Sequence, residues 1–257
     1  MSAILLHIWG PIAIHSYGFF IATGLITFII LVMKDKRLNT LYLKNAFIDC
    51  IIIGTVCAII GGRVLYIVSE REQLHAVLDF FAFWQGGLSI LGGIIGVMTG
   101  LSIFLIYKKI PILPFFDLLA TYGALLQAIA RIGCFYAGCC YGLPCNYFWA
   151  VKYSDAHCYA PLNSFIHPTQ LYSALVLLFI FIGLFAYAHY ARNIKNGTIF
   201  CLYLLCVSTE RFVIDFWRAD RCMTNSLLSY NQYIALGLII TALTSYIFIH
   251  SFTEKTI

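Results

Sequence analysis

The sequence predicts an all-α, polytopic membrane protein of about seven transmembrane helices, forming a single integral-membrane domain over residues 1–257. Two observations carry that class. Of the 257 residues, 61% are hydrophobic and only 11% are charged, where a soluble domain of this size carries about 25% charge. Apolar runs also recur along the whole chain, each close to the ~20 residues that a spanning helix needs. The net charge of +5 does not mark a nucleic-acid-binding surface, because Lys and Arg are scattered through short connections. No nucleic-acid partner is expected.

The spans are expected near 12–33, 46–68, 86–107, 113–135, 170–190, 198–216 and 228–250. The first carries its charges after it, at Lys34 to Arg37, with no basic segment before it, so it reads as a span and not as a cleavable signal. The second contains Gly61, Gly62 and Arg63, and the third opens on Gly86-Gly87 and Gly92-Gly93. Such glycines permit close backbone approach between membrane helices, or leave room for a lipid. Between these spans, residues 69–85 carry Phe80, Phe81, Phe83 and Trp84, the composition of an interfacial belt or short surface helix. The fourth span ends in Arg131 and a glycine-rich turn. A long irregular segment, about 140–168, then separates it from the fifth. Segments of that length are mostly functional or disordered. The sixth span holds Arg211 near its end, and Arg218 lies just beyond it.

Charge placement gives an orientation. Lys34, Lys36, Arg37, Lys44, Lys108, Lys109, Arg192, Lys195 and Lys255 fall on one side, and Arg71, Lys152, Arg218 and Arg221 on the other. The positive-inside rule puts the richer side in the cytoplasm, with the N-terminus outside and the C-terminus inside. Arg63, Arg131 and Arg211 then fall inside apolar spans near their outer ends, as do His15 and Tyr17 in the first span. A charged side chain at bilayer depth costs about 2.5–3.5 kcal/mol on insertion scales, so it usually faces a polar interior. Arginine adds a planar fork of donors that fits phosphate. Helices from separate parts of the chain are thus expected to share an anion site toward the extracytoplasmic leaflet.

The densest motif is Ala130-Arg131-Ile132-Gly133-Cys134-Phe135-Tyr136-Ala137-Gly138-Cys139-Cys140-Tyr141-Gly142. Backbone N–H groups of a glycine-rich turn beside an arginine can cradle an anion. This segment resembles the GRIGNFxNGExxG signature of the bacterial prolipoprotein diacylglyceryl transferase family. Other resemblances follow in order along the chain. His15-Ser16-Tyr17-Gly18 resembles the early H-x-Y-G of that family, and Gly62-Arg63 with Tyr66 its second-helix arginine. Gly86-Gly87-Leu88-Ser89 with Gly92-Gly93 resembles GGMSFHGG, and Asp117 and Gln127 fall where the family has an Asp and a Gln. His167-Pro168-Thr169-Gln170-Leu171-Tyr172 resembles HPSQLYE, and Arg211, Asp215 and Arg218 resemble R-x3-E-x2-R.

The resemblance implies an inner-membrane enzyme that moves the diacylglyceryl group of phosphatidylglycerol to the thiol of a prolipoprotein lipobox cysteine. Glycerol phosphate leaves. It places Arg131 and Arg211 on the phosphate, with Arg63 and Arg218 in support. Tyr17, Gly138, Gly142 and Gln170 are further expected site residues, and Asp215, four residues after Arg211, is expected to orient or neutralise it. Phosphatidylglycerol is itself a bilayer component, so no cofactor is expected.

Several positions depart from the family pattern. Leu91 stands where the family has a histidine, Cys134 replaces its Asn, Cys139 its Glu, and Ser173 the Glu after HPSQLY. His167 and His15 are the remaining candidates for a base toward the incoming thiol. The cysteines leave three alternatives. Cys139 or Cys140 acts as a reactive thiol beside Arg131; or the external cysteines Cys134, Cys139, Cys140, Cys145, Cys158 and Cys222 pair or stay inert; or they bind metal. Their Cys-x4-Cys-Cys-x4-Cys spacing is not a standard zinc pattern, and no metal site is assigned. A thiol-dependent transferase with another acceptor, or a non-catalytic lipid-binding paralogue, are the rival functions.

Overall fold

The computed structural model describes residues 4–9, 12–40, 46–69, 89–221, 223 and 227–252. The chain is helical with little sheet, as the sequence predicts. Its elements are β1 (Ile4–Trp9), β2 (Ile12–His15), α1 (Ser16–Lys34), α2 (Lys36–Thr40), α3 (Phe47–Ser69), α4 (Ile90–Tyr107), α5 (Ile112–Ala137), β3 (Val151–Lys152), β4 (Phe165–Ile166), α6 (Thr169–Tyr190), α7 (Thr198–Ile214) and α8 (Tyr230–Phe252). Helices α1, α3, α5, α6 and α8 are each long and apolar enough to cross a membrane, and α4 is a shorter apolar helix.

Two boundaries differ from the expected spans. The first helix starts at Ser16. Residues 12–15 instead form β2, paired antiparallel to β1 with two register irregularities. Continuous apolar sequence does not distinguish strand from helix over so few residues. The sixth span stops being α-helical at Ile214 and tightens into a 3-10 turn, Asp215–Trp217. The 69–85 segment lies outside the described residues apart from Ser69, as do Gly86 and Gly87.

The chain divides into two compact units, residues 35–115 and residues 1–34 with 116–257. In the first unit α3 and α4 pack with backbones in contact. A Cβ on Gly96 would lie 2.1 Å from the carbonyl oxygen of Cys57, and one on Gly61 would lie 2.4 Å from that of Gly92. Small residues are what allow such an approach between membrane helices. Ser89 accepts from the Gly92 N–H at 3.4 Å and opens α4, and its own N–H donates to the Gly62 carbonyl at 3.0 Å.

In the second unit α5 is the central helix. Half of its apolar window is buried, against 11–17% for α1, α6 and α8. Phe116, Leu118, Ala120, Tyr122, Ala124 and Ala128 are buried along it. At one end Asp117 accepts the Gly197 N–H at 2.6 Å and the Phe200 N–H at 2.8 Å, capping the start of α7. A carboxylate there satisfies orphan donors and opposes the helix dipole. The other end of α5 leads into the long segment 138–168. That segment is ordered around a small core of its own, with Tyr153, Ala160 and Ile166 buried and β3 paired to β4.

Candidate active site

The far end of α5, the start of α6 and the end of α7 are stitched together by one stretch of chain. The Gly142 N–H donates to the His167 carbonyl at 3.2 Å, and the His167 N–H donates to the Leu143 carbonyl at 3.0 Å. On its other edge, the Leu143 N–H reaches the Trp217 carbonyl at 2.8 Å, and the Ala219 N–H reaches that of Tyr141 at 3.0 Å. Gly142 cannot be larger: a Cβ would lie 2.5 Å from the His167 carbonyl oxygen. Gly138 has φ +75° and would press a Cβ to 3.0 Å from Cys158, so both space and backbone select glycine. Gly133 sits against Phe20 of α1, which stacks on Tyr136 at 5.4 Å between ring centroids.

This platform gathers three arginines. Arg131, near the end of α5, and Arg211 and Arg218, at the end of α7 and just after it, lie within electrostatic reach of one another and of Cys140 and Glu210. Among the described residues, neither Arg131 nor Arg211 has a carboxylate at ion-pair distance. Arg218 is buried and forked onto Asp220, at 2.9 and 3.0 Å, with Asp215 3.8 Å from its Nη1. That Nη1 is buried without a hydrogen-bond acceptor. Burial opposes its charge, but Asp220, Cys140 and Asp215 together hold the Arg218 pKa above its ordinary value. Asp215 serves Arg218 and hydrogen-bonds to the Ser229 hydroxyl; its side chain is not paired with Arg211. Arg63 lies in the other unit, buried on α3, with its guanidinium 5.6 Å from the Tyr66 ring centroid.

The sulfur atoms of Cys134, Cys139 and Cys140 all lie within 4.8 Å of one another. Gly138 and Cys140 make the turn that achieves this, the latter with φ +58°, a left-handed conformation uncommon outside Gly, Asn and Asp. Two side chains of α6 pin the turn: Thr169 Oγ1 donates to the Cys140 carbonyl at 2.7 Å and Gln170 Nε2 to that of Cys139 at 2.8 Å. Hydrogen bonds from Cys134 and Cys139, and the charges of Arg218 and Arg131, draw the Cys140 thiol well below the usual thiol range, against the cost of burial. Hydrogen bonding with Cys134 and Cys140, and then burial, push the Cys139 thiol up. All nine described cysteines are free thiols; Cys222 lies outside the described residues.

Tyr17, at the start of α1, is 41% exposed and lies within electrostatic reach of Arg131 and all three clustered thiols. His167 Nδ1 is 3.2 Å from the Tyr172 hydroxyl, and its ring is 5.7 Å from that of Tyr147. His15 ends β2 with an exposed side chain. Gln170 is 1% exposed, with its Oε1 unpartnered. Sequence reasoning missed Glu210, buried and hydrogen-bonded to Ser173. Its signal was present: a carboxylate beside Arg211 inside an apolar run carries the same insertion cost as the arginines. It also missed Thr169 and Tyr153, whose hydroxyl donates to the Phe135 carbonyl at 2.7 Å.

The family model for prolipoprotein diacylglyceryl transferase matches residues 3–248. A phosphatidylglycerol–prolipoprotein diacylglyceryl transferase of Clostridium tetani is 32% identical over 241 residues, covering 93% of this chain and 94% of that protein. Phosphatidylglycerol–prolipoprotein diacylglyceryl transferase 2 of Clostridium perfringens is 31% identical over 248 residues, 96% of this chain and 94% of its own. The Synechocystis enzyme of the same name is 33% identical over 244 residues, 90% and 83% respectively. With a match of that extent, and with the arginine-bearing signature folded into one platform, the chain belongs to the prolipoprotein diacylglyceryl transferase family.

Proposed function

We propose that this chain is a multi-pass inner-membrane transferase that moves the diacylglyceryl group of phosphatidylglycerol to the lipobox cysteine thiol of prolipoproteins, releasing glycerol phosphate. The observation that carries the reading is the grouping of Arg131, Arg211 and Arg218 on one platform. The first two have no carboxylate partner among the described residues, and the third has a buried donor to spare. Breaking the bond between the glyceryl carbon and the phosphate oxygen leaves charge on the phosphate. Fixed donors aimed at that charge, in a site shielded from water, stabilise the transition state more than the ground state.

Arg131 and Arg211 contact the phosphate, and Arg218 supports them from its fork on Asp220. Arg63 steers the lipid. Tyr17 donates to the phosphate or the glycerol, and Gly138, Gly142 and Gln170 shape the headgroup cradle. His167, whose backbone pairs with Gly142 and Leu143 of this platform, accepts the proton of the incoming thiol. The whole chain works as one domain, with this end in the extracytoplasmic leaflet.

The test is transfer by purified protein in detergent from phosphatidylglycerol to a lipobox peptide, read by mass spectrometry, with Arg131→Ala as control. A diacylglyceryl adduct that disappears in the control supports the reading. Bound phosphatidylglycerol without adduct refutes it in favour of a non-catalytic lipid-binding role. The thiol cluster favours one second reading, in which Cys139 or Cys140 takes part directly. Loss of turnover in Cys139→Ser, with folding retained, distinguishes it.

A further inference from the structure

We propose that Cys134, Cys139 and Cys140 form a zinc site whose open fourth position takes the thiol of the acceptor cysteine. The inference rests on the transferase reading above and deepens it: a metal would hold the acceptor sulfur and make its proton easier for the base to remove. The geometry points to it in three ways. Three sulfurs within 4.8 Å of one another need only small side-chain adjustment to reach the separation of about 3.8 Å that tetrahedral Zn–S bonds of about 2.3 Å impose. Among the described residues no fourth His, Cys, Asp or Glu joins the group. Structural zinc sites are closed by four protein ligands, whereas three protein ligands with one position open is the catalytic pattern.

Second, the turn is built to hold this set. Cys140 occupies a left-handed backbone conformation, the kind of strain that persists where surrounding structure over-determines it. Thr169 and Gln170 supply that constraint through the carbonyls of Cys140 and Cys139. The sequence spacing of these cysteines is unlike a zinc finger because the ligands come from a helix end and the turn after it, not from paired knuckles.

Third, the site lies beside the arginines. Three thiolates and one zinc ion carry a net single negative charge, which Arg131 and Arg218 offset. Both guanidinium groups act electrostatically on Cys140. Gln170 Oε1, buried and unpartnered, is an acceptor beside the same turn for a backbone N–H of an incoming peptide.

The step balances without an oxidant or reductant. The acceptor thiol coordinates the zinc and gives up its proton to His167, which passes it to solvent, since a metal-bound thiol is deprotonated outright. The sulfur lone pair attacks the glyceryl carbon. The carbon–oxygen bond breaks, and its electron pair leaves with glycerol phosphate. The product is a thioether, a weak ligand, so the zinc–sulfur bond to the product opens and the position is free again. The three protein thiolates are not consumed.

The experiment is a zinc titration of the full chain, purified in detergent, reduced and stripped of metal. Cobalt(II) substitution follows, and then transfer with and without zinc. One zinc per chain is expected, with affinity falling at least about tenfold in Cys139→Ser and unchanged in Cys206→Ser. Adding a lipobox peptide shifts the cobalt–thiolate spectrum, and the same peptide with serine for cysteine does not. Zinc removal lowers transfer about a hundredfold, the scale of losing proton removal from the nucleophile. Absence of stoichiometric zinc, a spectrum indifferent to the peptide thiol, or full transfer by the stripped protein each overturns the proposal, and the last leaves the transferase standing. Stoichiometric zinc and a peptide-dependent spectrum without any adduct uphold the thiol-binding site and refute the transferase. A thermal melt of Cys139→Ser and of the conservative Cys134→Ser separates loss of zinc from loss of fold.

Discussion

Arg131 is the residue on which the proposed chemistry turns, and its two simplest substitutions separate charge from shape. Arg131→Lys keeps the cation but loses the planar fork that matches phosphate. If the arginine stabilises charge on the departing phosphate, both Lys and Ala reduce transfer by about 100- to 1,000-fold with folding intact, as for removal of one oxyanion donor. Full transfer by Arg131→Lys shows instead that a point charge suffices. The arginines were legible in the sequence because a cation inside an apolar run is costly enough to demand an explanation. The thiol cluster was legible only in part. Cys139 and Cys140 stand out beside Arg131, but nothing in the sequence groups Cys134 with them rather than Cys145 or Cys158. In the fold, the Cys158 thiol lies 3.5 Å from the Tyr136 carbonyl oxygen and Cys145 joins the platform through its backbone. What singles out the three is a left-handed residue at position 140, and no propensity assigns that conformation to cysteine. Asp215 shows the same limit. Four-residue spacing from Arg211 assumes a continuing helix, but the chain tightens at Asp215 and the carboxylate faces Arg218.

Among the elements, α5 and α7 are held in register at both ends by different chemistry. Asp117 caps α7 from α5 with two backbone bonds, at 2.6 and 2.8 Å, in a buried setting. Asp117→Ala leaves both donors without acceptors and is expected to lower stability by about 1–3 kcal/mol. Asp117→Asn, which keeps one acceptor, is expected to lose less. Thermal unfolding in detergent orders the three proteins, and equal midpoints would remove the cap from the account. At the opposite end, Gly142→Ala drives a Cβ into the His167 carbonyl. The neighbour is backbone, so relief requires moving the chain, and the cost is about 1–3 kcal/mol by the same measurement. Helix positions were largely legible, because apolar runs of spanning length leave few alternatives. The strand over 12–15 was not, since only His15-Ser16 separates its apolar residues from those of α1. The small core around Tyr153 was also hidden, because its members are separated by polar loop sequence and become neighbours only when β3 pairs with β4.

At the scale of the whole chain, the two ends of the α5–α6–α7 group differ in kind, and that difference fixes an orientation to test. One end holds the turn with Arg192 and Lys195. Lys195 also reaches the His250 carbonyl of α8 at 3.1 Å, so the basic turn and the last helix share a side. The other end holds the arginine and thiol platform with the ordered 138–168 segment. Basic residues near helix ends resist translocation, so the first end is expected in the cytoplasm and the platform outside, where phosphatidylglycerol of the outer leaflet and an exported prolipoprotein can meet. A reporter that fluoresces only in the cytoplasm, fused after Ile257, should then be bright. A protease site inserted at Asn163, exposed in the 138–168 segment, should be cut by protease added to spheroplasts, and one inserted at Asn193, between α6 and α7, only after lysis. The reverse pattern would put the platform on the cytoplasmic side, facing prolipoproteins before export. The glycerol phosphate product would then appear inside the cell, and the positive-inside assignment would fail together with the proposed leaflet.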